Sequence, residues 1–401
     1  MATYTYRAKD AKGNDVAGDV EARDQKQAIA ILKEKHVYPF SIKEKNESFF
    51  EYLFKKFFKK TSVAEVATFT RQLATMINAG LPLTEALLIL KSQGSSEVNK
   101  AAAEILRDVE GGSTLADSMA RFPKIFSSVY IALVKAGESA GVLDNILNRL
   151  ADNLEAQREF KAKVKGALIY PAIVISGMVV VMFIMMIFVI PKLTSLYEEF
   201  DAELPQTTEI LISISNFMVN FWWLFLVGIV GASYLYRMVS SQKEGKRRID
   251  QIKFRIPIFG TLHTNVILAE LTRTLGLLVG AGVSIIEALT ISAGAADNVM
   301  IEEGIMVANK QVEKGLPLSE AIGENPLFPQ IVSQMISVGE ETGKMDEVLL
   351  KVSKYFQSES EESLKGLTSA IEPLIMVLLG VGVGFMVIAI IMPIYNLTSQ
   401  F

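Results

Sequence analysis

The chain has 401 residues, half of them hydrophobic, with 40 basic against 44 acidic side chains and a formal net charge of −4. It has no cysteine and only two histidines, His36 and His263, which excludes disulfides, thiolate metal sites and a cysteine nucleophile and leaves no ligand set for zinc. A nucleic-acid binder would need clustered Lys and Arg in excess to neutralise phosphate, so no metal, no cofactor and no nucleic acid is expected.

The N-terminus lacks a basic region followed by an apolar run, so no cleaved signal peptide is expected. Residues 3–9 and 16–22 alternate in polarity, with Lys12-Gly13-Asn14 between them as a turn. Residues 24–35 have helical periodicity, with Ala28, Ile31 and Leu32 on one face, and 37–42 reads as extended. Residues 1–48 thus form a small ββαβ unit, cytoplasmic and too small for more than a marginal core. The linker 49–60, FFEYLFKKFFKK, places Phe50, Leu53, Phe54, Phe57 and Phe58 on one helical face and four lysines on the other. Such a helix either lies in a membrane interface or packs on its own bundle.

Three stretches are free of charge: between Lys165 and Lys192, between Glu209 and Arg237, and after Glu372. Each exceeds the roughly 20 apolar residues that a membrane-spanning helix needs. Spans are expected at 166–191, 210–236 and 369–395. Basic residues collect before the first span (Arg158, Lys161, Lys163, Lys165) and after the second (Arg237, Lys243, Lys246, Arg247, Arg248), whereas the loop 192–209 is acidic. Lys and Arg gather on the cytoplasmic side, so the N-terminus is read as cytoplasmic, the loop as external and the C-terminal 396–401 as periplasmic.

The chain also repeats itself. Residues 71–87, RQLATMINAGLPLTEAL, match 273–289, RTLGLLVGAGVSIIEAL, 202 positions on. At the same offset Gly137, Glu138, Gly141 and Asp144 meet Gly339, Glu340, Gly343 and Asp346, and Pro171 meets Pro373. The repeated unit is therefore a helical bundle plus the span that follows it: 61–165 with the first span, and 237–368 with the third. A shorter element recurs within each copy, a Gly followed by an apolar residue three later and an acid five later (Gly80/Leu83/Glu85, Gly112/Leu115/Asp117, Gly282/Ile285/Glu287, Gly315/Leu318/Glu320). It predicts a helix corner: Gly ends one helix, Thr114 or Ser284 caps the next with the acid completing a capping box, and Pro82 or Pro317 suits a first helical turn. The fold class is mainly α and integral to a membrane, with two repeated cytoplasmic bundles of about six helices, three transmembrane helices and the small ββαβ unit.

No catalytic residue is expected. Gly339-Glu340-Glu341-Thr342-Gly343-Lys344 resembles a phosphate loop, but three residues rather than four separate the glycines, and Met345 stands where Ser or Thr should hold magnesium. The doubled motif reads as an inter-helix turn or, alternatively, as a partner-contact patch. Deep within the spans there is no ionisable side chain of the kind that lines transport paths. Gly380 and Gly384 fit close helix packing, and Pro171 and Pro373 mark helix starts, kinks or a membrane groove.

Together with Tyr4-Thr5-Tyr6-Arg7-Ala8-Lys9-Asp10, Phe69-Thr70-Arg71-Gln72-Leu73 and Arg255-Ile256-Pro257 with Gly260, these features make the chain resemble the inner-membrane platform family of type IV pilus and type II secretion machines, often called PilC or GspF. The resemblance covers nearly the whole chain. It implies a non-enzymatic platform at the filament base that couples a cytoplasmic hexameric ATPase to insertion, and in some machines removal, of pilin or pseudopilin subunits. It further implies inner-membrane alignment proteins as partners, a retraction ATPase as a further candidate, and a homo-oligomer, dimer or trimer, in the bilayer. A type II secretion or DNA-uptake platform is the alternative, with a transporter or membrane receptor ranked below.

Overall fold

In the computed structural model of the protein the described residues are 2–9, 15–22, 24–34, 37–44, 62–189, 191, 192, 195 and 206–399. The turn 12–14, the linker 49–60 and most of the acidic loop lie outside them. Two compact units result, residues 1–60 and 61–401.

In the first unit, β1 (Ala2–Lys9) is the central strand, flanked by β2 (Asp15–Ala22) and β3 (Tyr38–Glu44), both antiparallel to it. Helix α1 (Gln25–Glu34) starts where the Asp24 carboxylate accepts the Gln27 N–H at 2.7 Å. Its Ala28 is buried with Tyr4 and Ala22, and Ile31 packs beside them, so the expected ββαβ order is present.

The second unit is helical. Repeat 1 comprises α2 (Val63–Asn78), α3 (Leu83–Ser92), α4 (Glu97–Glu110), α5 (Leu115–Ala120), α6 (Ser128–Ala140) and α7 (Leu143–Ile184), which ends in a π-helical turn over Met185–Val189. After it come α8 (Gln206–Ser241), interrupted at Phe221, and the basic α9 (Lys243–Arg255). Repeat 2 comprises α10 (Phe259–Gly280), α11 (Ile285–Ala295), α12 (Val299–Glu313), α13 (Leu318–Gly323), α14 (Gln330–Thr342) and α15 (Met345–Ser399). In each repeat the first helix packs along the last, α2 on α7 and α10 on α15. The two repeats share one continuous hydrophobic core, running from Phe69, Leu73 and Phe126 to Leu278, Leu289 and Phe356.

The predicted corners form as the residues dictate. Gly80, Gly112, Gly282 and Gly315 all adopt left-handed φ, between 83° and 93°, a region costly for any residue with a Cβ. Thr114 accepts the Asp117 N–H at 3.1 Å and Ser284 the Glu287 N–H at 3.3 Å. Pro82 and Pro317 take the N-cap position with extended ψ near 142°, one residue earlier than expected. Their ring still suits the place, because no intrahelical donor is required there.

Helices α7 and α15 are long and apolar enough to cross a membrane by length and composition. Their most apolar windows are only 6 % and 11 % buried, the reverse of a soluble core helix, which would be covered by protein. Each is continuous with its bundle. Neither proline starts a helix: Pro171 lies buried inside α7 and Pro373 inside α15, and both helices run through.

Candidate functional site

The doubled Gly-Glu motif is brought to equivalent places at the turns α6–α7 and α14–α15. Gly141 and Gly343 are left-handed C-caps, with φ of 70° and 68°. Gly137 and Gly339 are buried where the two helices of each turn meet. A Cβ on Gly137 would lie 2.8 Å from Ile146 Cγ1, and one on Gly339 would lie 3.1 Å from the Met345 Cα, closer than packed carbons normally approach. The glutamate reaches across the bundle. Glu138 accepts the Leu115 N–H at 2.9 Å through Oε1 and the Ala116 N–H at 3.2 Å through Oε2, and Glu340 accepts the Leu318 N–H at 2.6 Å and the Ser319 N–H at 3.3 Å. Each carboxylate thus covers two unpaired donors at the start of a one-and-a-half-turn helix, where the backbone's partial positive charge favours an anion. Asp144 is exposed in the first turn of α7. Asp346 is half-buried beside Gly280: a Cβ there would lie 3.2 Å from Asp346 Cβ and 2.8 Å from Arg149 Nη1 of the other repeat.

Sequence reasoning did not single out the arginine that the copies share. Arg71 donates from Nε and Nη2 to the two oxygens of Glu155, at 2.7 and 2.6 Å, and from Nη2 to Asp152 at 2.5 Å. These partners raise the Arg71 pKa further above its usual range and hold the Glu155 carboxyl below its own. Arg273, its counterpart, donates to neutral acceptors, Ser353 Oγ at 3.2 Å, Asn153 of repeat 1 at 3.3 Å, and Gln357, with Glu270 acting on it through space. The signal available was the persistence of one cation in both copies of an otherwise apolar stretch.

A groove of about 680 Å³ lies between the repeats, where α6 and α7 face α10 and α11, and includes Lys161, His263, Glu270 and Asp297 in its walls. Glu270 accepts Gln157 Nε2–H at 3.2 Å. Desolvation pushes its carboxyl above the ordinary range, opposed by Lys161 and Arg273. A second crevice of about 380 Å³ lies between α7 and α15 where their charge-free stretches begin, lined by Tyr170, Pro171, Thr368 and Glu372. Pro373 does not line it. Among the described residues Gly380 and Gly384 have nothing within 4 Å of a would-be Cβ, whereas Gly382 between them faces Met178 Sδ at 4.0 Å. Of these three glycines it is Gly382 that faces α7. No group of three or more metal-ligating side chains exists among the described residues.

The two bundles, each running into an apolar helix, match known proteins at both levels. The family model for type II secretion system (T2SS) protein F matches residues 69–191 and again 271–393, and that for the N-terminal domain of protein F matches 1–43. The chain belongs to this family. It is 36 % identical over 403 residues to the type IV pilus assembly protein PilC of Thermus thermophilus, covering 99 % of this chain and 98 % of that one. It is 34 % identical over 399 residues to PilC of Myxococcus xanthus, with 99 % and 95 % covered. To type II secretion system protein F of Xanthomonas campestris it is 34 % identical over 405 residues, with 100 % and 99 % covered. Members are assembly components of the inner membrane, not enzymes. The matched segments begin within α2 and α10 and take in the apolar part of α7 and nearly all of that of α15, so the repeat read from the sequence is the family's own unit.

Proposed function

We propose that the chain is the inner-membrane platform of a type IV pilus assembly machine, coupling a cytoplasmic hexameric ATPase to the insertion of pilin subunits at the filament base. In this reading α8 is a third span between those of α7 and α15, the two repeats lie in the cytoplasm, and the C-terminus lies outside. The observation that carries it is the near full-length relationship to the PilC proteins, joined to the unbroken passage of each bundle into an apolar helix. A continuous helix of 42 or 55 residues transmits a tilt or rotation along about 60 or 80 Å, so work done on the bundles reaches the far side of the bilayer.

The turns at Gly141-Asp144 and Gly343-Asp346 present an exposed edge of each bundle as an ATPase contact, and the Pro171 crevice with the free Gly380/Gly384 face serves a partner helix in the membrane. The protein acts as a dimer or trimer with alignment proteins beside it. The type II secretion platform is the second reading, favoured by the full-length match to protein F. A deletion strain separates them. Loss of surface filaments, restored by the intact gene, supports the pilus platform. Loss of protein secretion with filaments retained supports the second reading, and retention of both overturns the platform role.

A further inference from the structure

Between α8 and repeat 2 the chain makes two sharp corners, and the helix between them carries an outward face that the bundle does not use. At the first corner a Cβ on Gly245 would lie 2.1 Å from the Val239 carbonyl oxygen, so α9 leaves α8 abruptly. The inner side of α9 is fastened to α12: Lys246 pairs with Asp297 at 2.9 Å, Lys243 with Glu303 at 3.4 Å, and the buried Asp250 accepts the Val299 N–H at 3.1 Å. On the opposite side Arg248, Ile252 and Arg255 recur at helical spacing. Ile252 is 61 % exposed, and neither arginine has an ion-pair partner among the described residues.

The second corner continues this face. Ile256, Ile258 and Phe259 are all exposed. Ile258 adopts φ 68° and ψ −51°, with the Phe259 N–H donating to Pro257 O at 2.8 Å. That is a strained three-residue turn, rare for any residue and an outlier for a β-branched one. Strain of this kind persists where the surroundings gain from it, yet here it displays isoleucine to the outside. The height of the corner is set by packing. Helix α10 begins there, and its Leu262 and Val266 pack with Leu364, Leu367 and Ile371 of α15 and with Val164 and Ala167 of α7. Those residues adjoin Lys165 and Glu372, after which α7 and α15 lose all charge.

We infer that the outward face of α9 together with the Ile256–Phe259 corner is bedded in the anionic headgroup layer of the cytoplasmic leaflet. The apolar tips enter the boundary between headgroups and acyl chains, while Arg248 and Arg255 meet lipid phosphates. The stretch that precedes repeat 1 at the same 202-residue offset, 46–57, likewise mixes aromatics with lysines. The inference rests on the reading of α7, α8 and α15 as spans.

The absence of cysteine permits single labels on the full chain. Ile252→Cys and Phe259→Cys are labelled with an environment-sensitive fluorophore and placed in nanodiscs of phosphatidylcholine and phosphatidylglycerol containing a headgroup spin-labelled lipid. Val230→Cys in α8, read with a mid-chain spin label, reports the span. Val338→Cys, beyond the roughly 40 Å of polar α15 that precede Glu372, is the soluble control. The labels at 252 and 259 are expected to lose most of their emission while 338 keeps its own. If 230 is quenched but 252 and 259 behave as 338, the inference is overturned and the span stands; the face then belongs to a soluble partner. If none is quenched, both readings fall together. Charge reversal by Arg248→Glu with Arg255→Glu should abolish the difference in quenching between anionic and purely zwitterionic discs. Persistence of that difference would remove the arginines from the proposal.

Discussion

Arg71 and Glu155 form a two-pronged ion pair between the first and last helices of repeat 1, Nε to Oε1 at 2.7 Å and Nη2 to Oε2 at 2.6 Å. In repeat 2 the glutamate is replaced by Gln357. The copies therefore share a fastening point but not its charge. Glu155 is nearly half exposed, so solvent screens the pair, and Arg71→Ala should lower stability by only about 1 kcal/mol, read as a small drop in unfolding temperature in detergent.

The same pair carries a pH dependence of definite sign. The folded Glu155 carboxyl titrates below its unfolded value, so its stabilising contribution is complete above the unfolded pKa and is lost as pH falls through the folded one. Glu155→Gln should flatten the acid limb of the stability curve and leave its alkaline limb unchanged, as followed by thermal unfolding between neutral and acid pH.

Glu270 should behave oppositely. Desolvation by the groove walls raises its folded pKa although the side chain stays open to solvent, so its ionised form costs a little stability at neutral pH, relieved as pH falls towards the unfolded value. Glu270→Gln is expected to raise the unfolding temperature at pH 7 slightly and to abolish the small gain expected of the native protein on mild acidification. An unchanged pH profile would remove Glu270 from that role.

The two helix-capping glutamates should differ in a graded way. Removing a side-chain cap costs about 1 kcal/mol, more when the acceptor is charged. Helix α5 keeps the Thr114 cap when Glu138 is lost, whereas α13 begins at Pro317, which offers no side-chain acceptor. Glu340→Ala should therefore destabilise more than Glu138→Ala. Hydrogen exchange should show it first at the amides of Leu318 and Ser319.

Gly339→Ala sets two effects against each other. Alanine gains about 1 kcal/mol of helix propensity, but its methyl group meets the Met345 Cα at 3.1 Å, and overpacking of that kind costs about 1–3 kcal/mol. Net destabilisation is expected by denaturant titration, whereas Ala at Gly366, where among the described residues nothing beyond the helix's own backbone lies within 4 Å of a Cβ, should stabilise.

Much of the fold was legible because it rests on local rules. The ββαβ order followed from alternation and periodicity, and the corners at Gly80, Gly112, Gly282 and Gly315 followed from Gly and N-cap spacing. The repeat itself announced the continuity of bundle and apolar helix. What was not legible depends on contacts between distant segments. Glu138 sits 23 residues from the Leu115 N–H that it accepts, so its motif looked like a loop or a contact patch rather than a cap for another helix. The groove around Glu270 exists only where one repeat faces the other. Pro171 left a start, a kink or a groove open: α7 runs through it, so it starts no helix, and it borders a crevice that only the approach of α15 creates.

A platform that works as proposed has both helical repeats on the cytoplasmic side, driving membrane helices from there. That placement is tested most directly by single cysteines at Ser139 in repeat 1, Glu341 in repeat 2 and Asp201 in the acidic loop, probed with a membrane-impermeant maleimide on intact spheroplasts. Asp201→Cys should be labelled at once, and Ser139→Cys and Glu341→Cys only after lysis. Labelling of one repeat but not the other in intact spheroplasts would contradict it.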